Sequence, residues 1–308
     1  MTKNHWINDV RSAALIRFSL SLTLLNVLGY TLLGFEPAII TPFFAVLIAV
    51  LMQILIETCQ SSTTETKPAF LINEGASIYL HFLPAYISAL AISMLVFSNG
   101  SLYEIVFAIL VAVGSKYVFI APVTYGNKKE TFRHFFNPSN LGISVVLVLF
   151  PWVGISPPYQ FTEYLSGVED IIIILVLFST GSLLNTKFTK RMLLIFSWFG
   201  AFALQALIRA WIHDTSWLAG LVPMTGLAFI LFSFYMITDP PTTPNSKLGQ
   251  IVFGISNAVL YAMFMELHIV FGMFYALTIS TGCRGIYLWW QYLKPEREVY
   301  PSASESLL

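Results

Sequence analysis

Arg133-His134-Phe135-Phe136-Asn137-Pro138-Ser139-Asn140-Leu141-Gly142-Ile143 closes the longest basic loop of a very apolar chain and leads into Ser144-Val145-Val146-Leu147-Val148-Leu149-Phe150. Asn137 is a good helix N-cap, and Pro138 falls at the first helical position, whose N–H has no intrahelical partner. Behind them Ser139, Asn140 and Leu141 present backbone N–H groups at the positive end of a helix dipole, which suits a phosphate or an electron-rich ring edge. The stretch predicts a helix that begins abruptly on polar residues and continues as an apolar rod. A second polar stretch, Met236-Ile237-Thr238-Asp239-Pro240-Pro241-Thr242-Thr243-Pro244, is also set between apolar runs.

Outward from these turns the composition is that of a protein dissolved in lipid. The chain is 56% hydrophobic and 10% charged, with a mean hydropathy of +0.75. Soluble domains carry about a quarter charged residues. The formal net charge of zero says little, because the charges are distributed by side, and no nucleic-acid partner is expected. Cys59 and Cys283 lie far apart without CxxC or Cys/His spacing, so no metal or iron–sulfur site is expected. Residues 1–11 are polar, and the apolar run after them is too long for a signal h-region, which reads as a retained first span.

A bilayer crossing needs about 20 mostly apolar residues. On that ruler ten stretches qualify: 13–33, 38–58, 77–98, 103–122, 139–156, 169–185, 191–210, 216–237, 248–265 and 269–290. The fifth and sixth are short. Backbone groups in lipid must be paired within the segment, and strand alternation is absent, so the spans read as helices and a β-barrel is excluded. The expected fold is all-α: a single polytopic transmembrane domain over 1–294, followed by a disordered cytoplasmic tail at 295–308. Lys and Arg fall on alternate loops: Lys3 and Arg11, Lys67, then Lys128, Lys129 and Arg133, then Lys187, Lys190 and Arg191, then Lys247, then Lys294 and Arg297. Arg209, beside Asp214, is the lone exception, and the 157–168 loop, with Glu163, has no basic residue. The positive-inside rule puts both termini, and both polar turns, on the cytoplasmic side of the plasma membrane. Tyr287, Trp289, Trp290 and Tyr292 suit an interfacial belt. A two-half architecture, common in membrane carriers, is compatible with the absence of short repeats.

Each motif has a plain and a functional reading. Asn137, Ser139 and Asn140, next to His134, are an ordinary helix start or a ligand cradle, since unsatisfied polar groups at membrane depth are costly. Thr238 to Pro244 is a helix stop or a stiffened turn in which Thr242 and Thr243 hold fixed hydroxyls. Lys116, in Gly114-Ser115-Lys116-Tyr117, snorkels or pairs with Asp239 or a bound phosphate. Arg284 poses the same question. Residues 73–77 read as a helix start, and His81, His213 and His268 as hydrogen-bonded histidines rather than metal ligands.

Phe136-Asn137-Pro138-Ser139-Asn140-Leu141-Gly142 resembles the FNPA-type turn of the NqrB/RnfD superfamily, membrane subunits of the sodium-pumping NADH:quinone oxidoreductase and of the Rnf complex. Gly114-Ser115-Lys116 with Phe119 is similar to the Gly-Lys motif before that turn, with an insertion. Ile237-Thr238-Asp239-Pro240 resembles the family's ATDP turn, and Gly249 to Gly254 its glycine-bearing helix. The runs HFFNPSN and TDPPTTP resemble the divergent UnbU-like branch, associated with enediyne biosynthesis. The resemblance covers about residues 35–290 and implies a urea-transporter-like bundle of ten helices.

It also implies electron transport with a flavin, FMN or riboflavin, and with partner redox subunits of a membrane oxidoreductase. The family's Ser-Gly-Ala-Thr signature holds FMN on a threonine phosphoester. The corresponding stretch here is Leu165-Ser166-Gly167-Val168-Glu169-Asp170, where Glu169 stands in place of the threonine, so a non-covalent flavin is expected. Its expected site comprises Lys116, His134, Asn137, Ser139, Asn140, Thr238, Asp239, Thr242 and Thr243. The alternative from the same fold is a small-solute or ion carrier without redox activity, and a purely structural subunit is a third reading. Topology is testable directly. Reporters fused at residue 1 and at residue 308 are expected to read the same, cytoplasmic, side; opposite sides would mean an odd number of crossings.

Overall fold

A computed structural model describes residues 10–72, 76–123, 131–156, 164–165 and 167–294. The expected tail at 295–308, Asn73, Glu74 and Gly75 of the loop before the third span, Glu163, and the loop cations Lys3, Lys128, Lys129 and Arg297 lie outside the described residues. Helices account for about three quarters of the described residues, and strand is scarce.

The first half contains α1 (Val10–Leu28), α2 (Thr41–Thr64), the single turn α3 (Ala69–Ile72), α4 (Ala76–Leu95), α5 (Tyr103–Val118) and α6 (Pro138–Leu149). The second contains α7 (Val168–Leu184), α8 (Met192–Ile212), the short pieces α9 (Trp217–Leu221) and α10 (Leu227–Leu231), α11 (Lys247–Glu266) and α12 (Gly272–Leu293). Helical structure stands at each of the ten apolar stretches. Among the described residues six helices are long and apolar enough to cross a membrane, or seven when Trp217–Thr225 and Ala228–Met236, bent by 67° to one another, count as one span. The ten stretches therefore do not give ten full-length crossings. α5 and α6, at 16 and 12 residues, are too short, and α12 has the length but carries Thr278, Ser280, Thr281 and Arg284.

The exterior is apolar and the interior carries polar groups. Leu47, Leu51 and Leu55 on α2, Ile172 and Val176 on α7, and Val252 and Val259 on α11 are exposed. Gln53, Glu57, Asn140, Ser144, Asn185 and Asn257 are buried. Water does not tolerate apolar surface on this scale, and lipid does. The bundle therefore belongs in a bilayer.

The chain repeats its order. α1 and α7 each run on into a π-helical turn, Gly29–Leu33 and Asn185–Thr189, closed by a left-handed residue, Gly34 at φ 77° and Lys190 at φ 55°. α2 packs on α4 and α5 as α8 packs on α9 and α11, and α5 packs on α6 as α11 does on α12. α1 touches α4 as α7 touches α10. The equivalent helices α6 and α12 meet antiparallel along the segment that leads into α6: Phe132 lies 6.0 Å from Trp289 with its ring tilted, Phe136 lies beside Gly282, and Asn140 bonds the Phe274 carbonyl. The halves are thus related with inverted direction, the two-half architecture compatible with the sequence.

Two small antiparallel ribbons explain why α5 and α6 are short. α5 ends where Phe119 leaves helical geometry, and β2 (Ile120–Val123) pairs with β3 (Thr131–His134) before α6 begins. α6 ends at Phe150, ahead of Pro151, a position that disfavours helical backbone. Beyond it β4 (Gly154–Ile155) pairs with β1 (Val96–Phe97) at the far end of α4. The α6 N-terminus sits at the level of Gly282, halfway along α12 and about 15 Å from either end at 1.5 Å per residue. The ribbon carries that turn into the middle of the bundle.

Close approach of α5 and α6 requires Gly142. A Cβ added there would stand 2.3 Å from the backbone oxygen of Ala108. Gly142→Ala is expected to cost about 1–3 kcal/mol through overpacking, read as a lower melting temperature of the detergent-purified protein. An unchanged melting temperature would mean that the two helices are not in this contact.

Candidate functional site

The two polar turns meet. Asn137 is the N-cap of α6, its Oδ1 accepting from the Asn140 amide at 3.2 Å and from Ser139 Oγ at 3.0 Å. Its Nδ2 donates to the carbonyl of Met236 at 2.9 Å, where the π-helical turn Phe232–Met236 ends and the Thr-Asp-Pro-Pro turn starts. Asn137 thereby joins half-helices from opposite halves of the fold. Asn140 turns the other way: its Nδ2 donates to the Phe274 carbonyl at 3.0 Å and to Thr278 Oγ1 at 2.8 Å. Ser144 adds a bond to the same Thr278 hydroxyl at 2.8 Å. These bonds fix α6 against α12.

The second turn is held from inside and by one arginine. Thr238 Oγ1 donates to the Phe234 carbonyl at 2.7 Å, and Thr243 Oγ1 to the Asp239 carbonyl at 2.8 Å. Thr242 Oγ1 donates to Asp239 Oδ2 at 3.1 Å. Arg191, 4% exposed, donates from Nε to Thr243 Oγ1 at 2.8 Å and from Nη2 to Asn245 Oδ1 at 2.5 Å. Three prolines leave few backbone amides to close this turn, so side chains close it.

Between the turns lies a cavity of about 560 Å³, a size that suits a cofactor or drug-sized molecule. Its apolar wall includes Phe18 and Tyr235, whose rings stack at 5.6 Å, with Ile87, Met94 and Phe234. Its polar end carries Lys116, Arg133, His134 and Arg191 against one carboxylate, Asp239. Of the nine expected site residues, Lys116, His134, Asn137, Ser139, Thr238 and Asp239 line it. Asn140, Thr242 and Thr243 do not; they are buried braces of the helix start and of the turn. Arg133, Arg191 and Asn245 line it unanticipated. Arg191 reads in sequence as one more loop cation after Lys190, and only its burial marks it out.

Lys116 does not merely snorkel: the carboxylates of Asp239 and of Glu57 act on it electrostatically. Arg284 is half-buried on α12 outside the cavity lining. Arg209, the lone exception to the loop-charge pattern, donates to Glu266 at 2.5 Å, which His213 also contacts at 2.9 Å. His81 binds Glu57, and His268 sits 3.0 Å from the Glu266 carbonyl, so His81, His213 and His268 each have a hydrogen-bonding partner. Among the described residues no group of His, Cys, Asp and Glu could hold a metal ion.

Glu169 lies on the first turn of α7 and borders a second, apolar cavity of about 570 Å³ between α1 and α7. The two cavities share Leu22, Leu231 and Tyr235 as a common wall. Comparison with protein families and with characterised proteins gives no match for this chain.

Asn137→Ala is expected to lower the melting temperature by removing an N-cap, worth about 1 kcal/mol, and leaving the Met236 carbonyl unpaired, a further 1–3 kcal/mol or so. Asn137→Asp keeps the acceptor and loses the donor, so it should fall between wild type and alanine. Equal melting temperatures for all three would exclude the joint between the turns.

Proposed function

We propose that this chain is an RnfD/NqrB-like membrane electron-transfer protein that holds a flavin, FMN or riboflavin, non-covalently in the central cavity and works with partner redox subunits. The observation that carries the reading is the meeting of the Asn137 and Thr238–Pro241 turns at a mostly apolar cavity whose lining carries four cationic or basic side chains against one carboxylate. The donor set fits such a group. A flat ring finds the Phe18–Tyr235 wall, and a phosphate or an anionic ring edge finds Lys116, Arg133, His134 and Arg191. In a low-dielectric site these charges act strongly on a bound anion. When bound, the flavin supplies one- and two-electron chemistry; the chain supplies placement and electrostatics. Glu169 borders the other cavity, and a carboxylate cannot form the phosphoester made by a threonine. The full reading keeps the ten membrane-inserted segments and cytoplasmic termini of the loop-charge pattern, with α5 and α6 as its short members.

A second reading, a carrier for a small anionic or neutral solute, is favoured by a separate observation. Helices break at mid-bundle in both halves, and two cavities abut across Leu22, Leu231 and Tyr235. Broken helices around a central site are how inverted-repeat carriers hold their substrates.

Absorption spectra before and after acid precipitation separate the readings. A flavin band released into the supernatant, and lost in Lys116→Ala combined with Asp239→Ala, is the expected result. A band retained in the pellet would mean a covalent link. No flavin, together with solute uptake by proteoliposomes, would replace the first reading with the second. Asn137→Ala combined with Asp239→Ala is likewise expected to abolish bound flavin, and unchanged occupancy would reject this site.

A further inference from the structure

Beside the central cavity lies a buried polar cluster that the functional reading does not use. Glu57, on α2 and 5% exposed, is two helical turns from the end of its helix. Four donors converge on its carboxylate. Oε1 is reached by Gln53 Nε2 at 2.9 Å, Tyr117 OH at 2.9 Å and His81 Nε2 at 2.8 Å, and Oε2 by the Phe70 amide at 3.1 Å. His81 also lies 3.0 Å from Oε2. Among the described residues of the elements packed on α2, α3 offers a backbone amide, α4 offers His81, and α5 offers Tyr117 and its neighbour Lys116. Lys116 lines the cavity together with Asp239, its neighbour Tyr117 binds Glu57, and the charges of both carboxylates act on it.

We propose that Glu57 and His81 form a proton-binding site, open to solvent through His81 and coupled through Lys116 to the charge in the central cavity. His81 uses Nε2 towards Glu57, with Gln53 Nε2 3.1 Å from the same nitrogen, no described residue partners its Nδ1, and its side chain is 20% exposed, so the ring spans from the carboxylate to the surface of the bundle near the start of α4. With one proton the pair is neutral, either as imidazolium and carboxylate or, after the Nε2 proton moves to a Glu57 oxygen, as imidazole and carboxylic acid. Without that proton the pair is net negative and shares Lys116 with Asp239. An unpaired charge is costly in so dry a setting, so the two sites compensate each other. An anion that enters beside Lys116, where Arg133, His134, Arg191 and Asp239 are the other charged groups, replaces the negative charge of the pair, which then takes up a proton from water. Binding of an anion and binding of a proton are therefore linked, and the linkage is reciprocal. This deepens the reading of the cavity as an anion site and rests on it only for the identity of the occupant.

Infrared difference spectra of the detergent-purified protein, labelled with carboxyl-13C glutamate and titrated with acid, test the site without any ligand. A carboxylic-acid band absent from Glu57→Gln is expected. Lys116→Met should move the appearance of that band by about one unit to higher pH, the size of a nearby opposite charge, and Lys116→Arg should leave it in place. The 13C label keeps the lysine variants informative if Glu57→Gln fails to fold. A band that survives Glu57→Gln, or a midpoint indifferent to Lys116→Met, would overturn the proposal. Added FMN should move the band in the same direction as Lys116→Met. FMN that does not bind, with the Lys116→Met shift present, would reject the flavin as occupant and leave the proton site standing; FMN that binds without moving the band would overturn the coupling.

Discussion

One side chain joins the two halves of this protein where both have stopped being helical. Asn137 caps α6 with its oxygen and binds the Met236 carbonyl with its nitrogen, 99 residues further along the chain. In hydrocarbon, every backbone group that a broken helix leaves open needs a partner. A helix start and a helix stop at the same depth supply partners to each other. The β2–β3 ribbon makes the same provision on the other side of the α6 start, and Trp289 Nε1 closes the Ile120 carbonyl at 2.9 Å. Irregular backbone is thus possible at mid-bundle only because it is enclosed.

From that constraint the cavity follows. A short α6 leaves space that a full-length helix would fill, and the 67° bend before the second turn leaves the matching space in the other half. The inverted relation of the halves brings these gaps to one place. Apolar side chains of α1 and α4 close most of the wall, and the cations at the polar end come from α5, β3 and the α7–α8 junction. Arg191 serves twice: it holds the Thr-Asp-Pro-Pro turn and gives its charge to the cavity. An arginine fits this double duty because its fork can reach several acceptors at once.

Ionisable groups recur inside the bundle: Glu57 and Arg191 are buried, and His81, Lys116 and Asp239 are partly so. Ionisable groups at membrane depth are expensive and point to function unless they merely pair. Here Glu57 pairs with His81, Arg191 binds the second turn, and Lys116 and Asp239 line the same cavity.

The helical, lipid-dissolved character was legible in composition and in run length, because both follow from burial of the backbone in hydrocarbon. The Asn137 cap and the proline at the first position of α6 were legible too, being local chemistry. So were the polar turns, as breaks in apolar runs. The full length of the crossings was not: 103–122 and 139–156 are apolar enough to read as spans, yet their ends pair as strands across a loop, which no local periodicity records. The meeting of residue 137 with residue 236, the outward turn of Asn140 towards α12, and the enclosure of Thr242 and Thr243 depended on the packing of distant helices. Arg191 and Glu57 show the same limit, since a charge in sequence looks alike in a loop, at a helix end or inside a bundle. Sequence alone determined that the chain is helical in lipid and where its polar breaks fall, because those depend on a residue and its near neighbours. The tertiary structure alone decided which breaks meet and which charges share a cavity, because antiparallel packing of inverted halves sets depth and distance between residues far apart in the chain.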